Sequence, residues 1–327
     1  MKLGKYVSNA LLLIVATVCL GGAPLSAAAA YPDHPIKLIV GFTAGGPAST
    51  ISVMVAKRVS EFLEQPMIVE HKPGGSATLG ATYVAKSKPD GYTLFTASDS
   101  PLLTAPLITP DLTYTLDDFV PIVGYGISPC MIDVKMGRWN SLNDLIADAK
   151  KNPGKFSYST QGVNSFTHMF VRIFFEQAGI DLKMIPYPGT AEAIAALLGG
   201  HVDVAFVGGT GGLYEAGRLD ILAVSEKARL SNFPKVPTLN EIGYPLVFNA
   251  AYFLSAPKGT PKEVTDKLTA AHQKAFAKYG DEIGATLKKF EMYPAFLSAK
   301  ELVDQNNYRR DLFRKAAKSM GIYVPNR

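Results

Sequence analysis

The stretch Ile36-Lys-Leu-Ile-Val-Gly-Phe42, followed at once by Thr43-Ala-Gly-Gly-Pro-Ala-Ser49, sets the reading of the whole chain. Its first half is a short apolar run rich in branched residues, the pattern of a strand buried in a parallel sheet. Its second half is a turn of small residues. Beyond it Ile51, Val55, Val59 and Leu63 recur every four residues and predict a helix with one apolar face. Gln65-Pro66 stops that helix, and Met67-Ile-Val-Glu70 reads as a second strand. The turn Lys72-Pro-Gly-Gly-Ser-Ala-Thr78, a helix holding Ala81, Val84 and Ala85, and a strand over 92–96 complete the block. Repeated strand–loop–helix units predict an α/β fold with a parallel sheet covered by helices.

The alternation resumes further on. Ser141 with Asp144 caps a helix ended by Pro153-Gly154. Strands follow over 156–159, 184–187, 202–207 and 221–225, with helices over 166–174 and 191–198 between them. Thr260-Pro261-Lys-Glu263 and Ser298-Ala-Lys-Glu301 then open two more helices, the second running to Gly321. Two sheet-forming blocks with a helical return predict two lobes joined by crossing strands near 123–131 and 248–256. The expected division is 31–127 plus 253–327 for the first lobe and 128–252 for the second.

With 327 residues the chain is long enough for two such lobes. Residues 1–30 read as an export signal: Lys2 and Lys5, an apolar run from Ala10 to Leu20, then small residues up to a cleavage point near Ala30. That run is shorter than the ~20 residues a membrane span needs. Val18 before Cys19 disfavours a lipid-anchored form. The expected product is therefore a soluble monomer outside the cytoplasm, in the periplasm. Its charge, +5 less about two for the removed lysines, provides no basic stripe for nucleic acid. Only Cys130 remains, flanked by Pro129 and Met131, and reads as a buried structural thiol.

Three loops carry the chemistry: 43–49, 74–78 and 159–165. All are rich in Gly, Ser and Thr, poor in charge, and placed between a strand and a helix, where open sheets bind ligands. Exposed N–H groups at helix starts attract anions, and hydroxyls add donors. Gly75-Ser-Ala-Thr-Leu-Gly80 has phosphate-loop spacing, but Ala81 and Thr82 follow where a lysine is required, which excludes nucleotide phosphates. Gly208-Gly-Thr-Gly-Gly212 does not fit the dinucleotide spacing. His34, His71, His168, His201 and His272 form no metal pair. Ser165 and His168 share one helix turn and suggest a nucleophile with its base, but no strained Gly-x-Ser-x-Gly elbow accompanies them. No cofactor and no metal are expected.

Ordered along the chain, further motifs resemble one family. Tyr31-Pro-x-x-Pro-Ile-x-Leu-Ile-Val and Phe42-x-Ala-Gly-Gly46 are followed by Lys72-Pro-Gly74, Pro89-Asp-Gly-Tyr-Thr-Leu94 and Asp118-Phe-Val-Pro-Ile122. Tyr158-Ser-Thr-x-Gly162, Leu197-Leu-Gly-Gly-x-Val-Asp203, Pro237-Thr-Leu-x-Glu241 and Pro257-x-Gly-Thr-Pro261 complete the set. From Tyr31 to the C-terminus the chain resembles the substrate-binding receptors of tripartite tricarboxylate transporters, also called Bug receptors. The resemblance implies a type II periplasmic binding protein of Venus-flytrap form with two hinge crossings. It also implies a non-enzymatic role, delivering a small organic carboxylate to membrane permease subunits. Carried over by position, Phe42, Thr43, Ala44, Gly45, Gly46 and Ser49 with Ser76, Ala77 and Thr78 form one wall of the ligand cleft. Ser159, Thr160, Ser165 and His168 form the other, adjoined by Tyr187, Pro188, Gly189 and Gly208.

Departures from the family bear on the ligand. Many relatives have an Asp where this chain has Ser49, a Gly pair where it has Ser76-Ala77, and an Asp near Gly208 and Gly209. Losing those carboxylates argues against an ammonium-bearing ligand, because a desolvated cation needs a partner. A Trp often found in the second crossing is replaced around Tyr252, leaving room for a bulkier or aromatic acid. A di- or tricarboxylate or an aromatic acid is the expected cargo. A sensor feeding a two-component system shares the same binding step, and a secreted serine hydrolase is the alternative of another class.

Overall fold

The computed structural model describes residues 31–163, 165–210, 212–319 and 321–324; the expected export segment and its cleavage point lie outside them. The described residues from His34 onward form one compact unit. Its first half runs β1 (Ile36–Val40), α1 (Pro47–Leu63), β2 (Met67–His71), α2 (Thr78–Ala85) and β3 (Thr93–Ala97). A π-turn (Ser100–Thr104) leads into α3 (Ala105–Ile108), then come β4 (Phe119–Pro129) and β5 (Met131–Lys135). The second half runs α4 (Leu142–Lys151), β6 (Ser157–Thr160), α5 (Phe166–Ala178), β7 (Lys183–Pro186), α6 (Thr190–Leu198), β8 (Val204–Val207) and β9 (Leu219–Val224). The chain returns by β10 (Asn249–Pro257), α7 (Lys262–Lys288), β11 (Tyr293–Pro294) and α8 (Ala299–Ser319).

The strands form two sheets, one for each lobe of an α/β fold. The first sheet has the order β11-β4-β10-β3-β1-β2 and the second β7-β6-β8-β5-β9. The runs read as buried strands are parallel in each: β1 with β2 and β3, β6 with β7 and β8. The crossing stretches are strands in their own right. β4 and β10 pair antiparallel from Phe119↔Pro257 to Pro129↔Asn249, so both lie in the first sheet along their whole length. The chain passes to the second sheet through Cys130 and leaves it after β9, whereas the expected division at 127/128 and 252/253 cuts through both strands.

Among the described residues, side-chain caps mark three of the eight helix starts, at Ser141, Ser165 and Ser298. The Ser141 hydroxyl accepts from the Asp144 N–H, and the Ser298–Glu301 box is reciprocal. The third expected start shifts by one residue. α7 begins at Lys262 with Pro261 in the cap position, and the Thr260 hydroxyl donates instead to the Pro257 carbonyl. Among the described residues no helix is long and apolar enough to cross a membrane.

The second lobe is built on aromatic packing. Phe206 is fully buried, with the rings of Tyr158, Phe170, Phe174 and Phe175 at 5.4–6.2 Å. Phe313 of α8 reaches this lobe, packing against Phe166 (5.9 Å) and Phe248 (5.2 Å). The last turns of the chain thus share the second lobe's core.

In the first lobe, His272 of α7 is fully buried, its ring stacked on Tyr125 and its Nδ1 2.7 Å from the Leu268 carbonyl. Among the described residues its Nε2 is buried without a partner, and burial pushes this imidazole down to about 4. A histidine depressed on folding stabilises the native state above its unfolded value and withdraws that contribution as the pH falls through the folded one. The melting temperature is therefore expected to fall between pH 6.5 and 4, on the order of 3 kcal/mol being lost by pH 4. His272→Leu should flatten that slope in a thermal melt series. Asp99, fully buried and raised to about 6 by desolvation, acts in the opposite sense, so the comparison is of slopes between variants.

Candidate functional site

The first lobe contributes two loops beyond the ends of its parallel strands. After β1 the chain turns at Gly45 (φ +91°), and α1 starts at Pro47. Its cap, Gly46, has no side chain, so the first-turn N–H groups of α1 gain no side-chain acceptor. The second loop places Gly75, Ser76 and Ala77 successively at φ +56°, +55° and +73°. Two of these are not glycine, each costing on the order of 1–2 kcal/mol. These successive left-handed residues wind one tight turn, closed by the Thr78 N–H on the Gly75 carbonyl and the Leu79 N–H on the Gly74 carbonyl. The loop lies hard against β1: a Cβ on Gly41 would stand 2.4 Å from that of Ala77. Thr78 closes the turn with a hydroxyl bond to the Gly75 carbonyl (2.7 Å).

The second lobe answers with the ends of β6 and β7. Gln161 Nε2 donates to Thr190 Oγ1 (2.5 Å). Tyr187 N–H donates to the Thr160 carbonyl, Pro188 is exposed, and Gly189 caps α6 without a side-chain partner. A Cβ on Gly189 would lie 2.6 Å from Thr43 Oγ1 and 2.9 Å from Glu192 Oε2, so a side chain here would displace that pair.

Several bonds join the lobes. The Thr43 hydroxyl donates to Glu192 Oε2 (2.9 Å), and the Ser76 hydroxyl to the Val163 carbonyl (2.9 Å). Thr210, beyond β8, gives its N–H (2.5 Å) and its hydroxyl (2.6 Å) to the two oxygens of Glu291. Burial raises Glu291 to about 7, against the pull of the Thr210 bonds.

Between the lobes the N-termini of α1 and α6 converge. A Cβ on Gly46 would lie 3.8 Å from Thr190 Cβ and 4.0 Å from the Ala191 nitrogen. A cavity of about 10 Å³, room for one water, sits there. Phe42, Thr43, Gly46, Gln161, Thr190 and Tyr252 are among its walls. A second cavity of about 330 Å³ adjoins it and shares Gly46, Pro47 and Thr190. Among the described residues no lysine or arginine lines either one. The positive ends of two helix dipoles therefore supply the local field.

Not every residue expected at the cleft reaches these cavities. Ser49 turns away, its hydroxyl 2.8 Å from His71 Nε2. Ser159 and Thr160 are fully buried beneath them, bonded to the Ala193 carbonyl and to Gly162. Ser165 is the cap of α5: its hydroxyl accepts from the His168 N–H (3.1 Å) and bonds Thr167 Oγ1. His168 lines a separate surface depression with Tyr158, Arg172 and Glu176; burial and then Arg172 push it down to about 4. Gly208 is held against Ser128 Oγ, 2.4 Å from where its Cβ would be. Conversely, Gln161, Thr190, Glu192, Thr210 and Glu291 stand at the site without having been singled out. Thr190 and Glu192 carry a weak signal, as first-turn residues of a helix after Tyr187-Pro-Gly.

A family model described as tripartite tricarboxylate transporter family receptor matches residues 51–315. The UPF0065 protein in the gbd 5' region of Cupriavidus necator is 33% identical over 299 residues, 88% of this chain and 89% of that one. The solved periplasmic binding protein BugD is 28% identical with a TM-score of 0.84, over 90% of this chain and 99% of that one. An R. palustris protein solved with adipate is 26% identical with a TM-score of 0.83, over 90% of this chain and 100% of that one.

Proposed function

Since this chain belongs to the tripartite tricarboxylate transporter family of receptors, we propose that it captures a small organic carboxylate outside the cytoplasm and delivers it to the permease subunits of such a transporter. The observation that carries this reading is the meeting of two helix N-termini, from opposite lobes, with no side-chain cap on either. A carboxylate between them accepts N–H bonds from both lobes at once and neutralises two facing positive dipole ends. It thereby favours the closed form over the open one, and only such a difference in affinity drives closure. The relative solved with adipate supports a carboxylate cargo. A binding role rather than a hydrolytic one is supported by Ser165, whose hydroxyl is engaged in capping α5.

Ligand-free protein, prepared by unfolding and refolding, should gain several degrees in melting temperature with its acid at about 100 times the dissociation constant. That corresponds to about 2.7 kcal/mol by linkage. A screen over mono-, di- and tricarboxylates, aromatic acids and amino acids checks it, and a flat response to all of them would refute the reading.

A further inference from the structure

We infer that the captured acid has one carboxylate and an apolar body, and that Glu291 acts as the specificity residue that turns away a second carboxylate; this rests on the carboxylate-receptor reading above. The larger cavity, about 330 Å³, has the size of a small-ligand pocket. Ile194 and Leu198 of α6, Leu213, Phe290 and Pro47 give it apolar walls. Its neck is the pair of helix N-termini where the carboxylate sits, so the body of a bound acid extends into it.

Away from the neck, Thr210 is the polar side chain in its wall. A threonine hydroxyl has one proton and two lone pairs. The hydroxyl proton of Thr210 and its N–H are both committed to Glu291, a carboxyl group of the opposite lobe. Thr210 therefore offers the pocket lone pairs, not donors. No lysine or arginine lines the cavity among the described residues. Glu291 is 2% exposed, so solvent screens it little. A second carboxylate in this pocket would meet like charge and lose its water without gaining donors. A methyl group or a ring there gains from the same walls.

The test is calorimetric titration at pH 8, where Glu291 is ionised. The probes are straight-chain monoacids and diacids of matched length from four to eight carbons, with phenylacetate added to the first set. Wild-type protein is expected to bind the best monoacid at least tenfold more tightly than the diacid of the same length. Glu291→Gln should narrow that ratio at least tenfold. Diacids binding as tightly as monoacids, or a ratio untouched by Glu291→Gln, would overturn the inference and leave the receptor reading standing. If no acid of either set binds the wild type, the receptor reading falls and the inference with it. The wild-type ratio decides by itself should Glu291→Gln not fold.

Discussion

Gly209→Ala is expected to weaken capture of the acid by at least about 100-fold while both lobes remain folded. A Cβ at this position would lie 2.5 Å from the Phe290 carbonyl oxygen, 3.0 Å from Phe290 Cβ and 3.1 Å from Pro47 Cγ. All three atoms belong to the other lobe, and the closest is backbone, which cannot swing aside as a side chain does. Relief comes by holding the lobes apart. That lengthens the neighbouring Thr210–Glu291 and Thr43–Glu192 bonds and separates the two helix N-termini. A 100-fold loss is about 2.7 kcal/mol, a modest charge for several interlobe contacts. Gly209 also has φ +83°, so alanine there carries backbone strain in addition. Gly212→Ala separates the two effects: φ is +81° but among the described residues nothing lies within 4 Å of its Cβ. Calorimetry should show the loss in the first variant and near-wild-type affinity in the second. Small-angle scattering should show that saturating acid contracts wild type and Gly212→Ala but not Gly209→Ala. Undiminished affinity with contraction in Gly209→Ala would mean that the lobes do not close on this contact.

Phe206→Ala should cost about 3–5 kcal/mol of stability, the usual toll for emptying a fully buried aromatic site. Phe206 stands at the centre of the second lobe, its neighbours contributed by β6 and α5. Four rings surround the space left behind, and aromatic side chains on a sheet and a long helix collapse poorly into a void. Domains commonly have 5–15 kcal/mol in total, so the variant sits near the edge of folding at 37 °C. Trp139, the single tryptophan of the chain, is 5% exposed in the same lobe and reports its unfolding directly. Urea titration followed by its fluorescence is the measurement. A loss below about 1 kcal/mol would mean that the aromatic cluster is looser than its geometry indicates.

Much of this architecture is legible in the order of residues. The run from Ile36 works as a strand signal because a strand covered by helices on both sides needs no polar alternation, and the four-residue spacing from Ile51 to Leu63 is periodic enough to be unambiguous. The stretch from Ser100 to Ile108 is not legible. Pro101, Pro106 and Pro110 punctuate it like a loop, yet the first two occupy the opening positions of short helical pieces, where a missing N–H costs nothing. The small-residue loops at the cleft are also visible in advance, because glycine-rich turns between strand and helix have a restricted set of uses. The charges at the cleft are not. Glu192 meets a partner 149 residues away and Glu291 one 81 residues away, and no local pattern encodes either meeting. Ser49 illustrates the converse: its place on the first turn of α1 fits a ligand contact, but its rotamer delivers the hydroxyl to His71.

The two facing helix ends have a consequence for the conditions under which the protein works. A clamp of lysines or arginines loses grip as salt rises, because mobile ions cluster around exposed charges and dull them. Peptide dipoles locked into α1 and α6, beside a cavity with room for one water, admit no such cloud. Seawater and rain differ enormously to a guanidinium at the surface, and hardly at all to a buried row of amides. A receptor that traps its cargo this way loses less grip as ionic strength rises than one that relies on lysines or arginines at the surface.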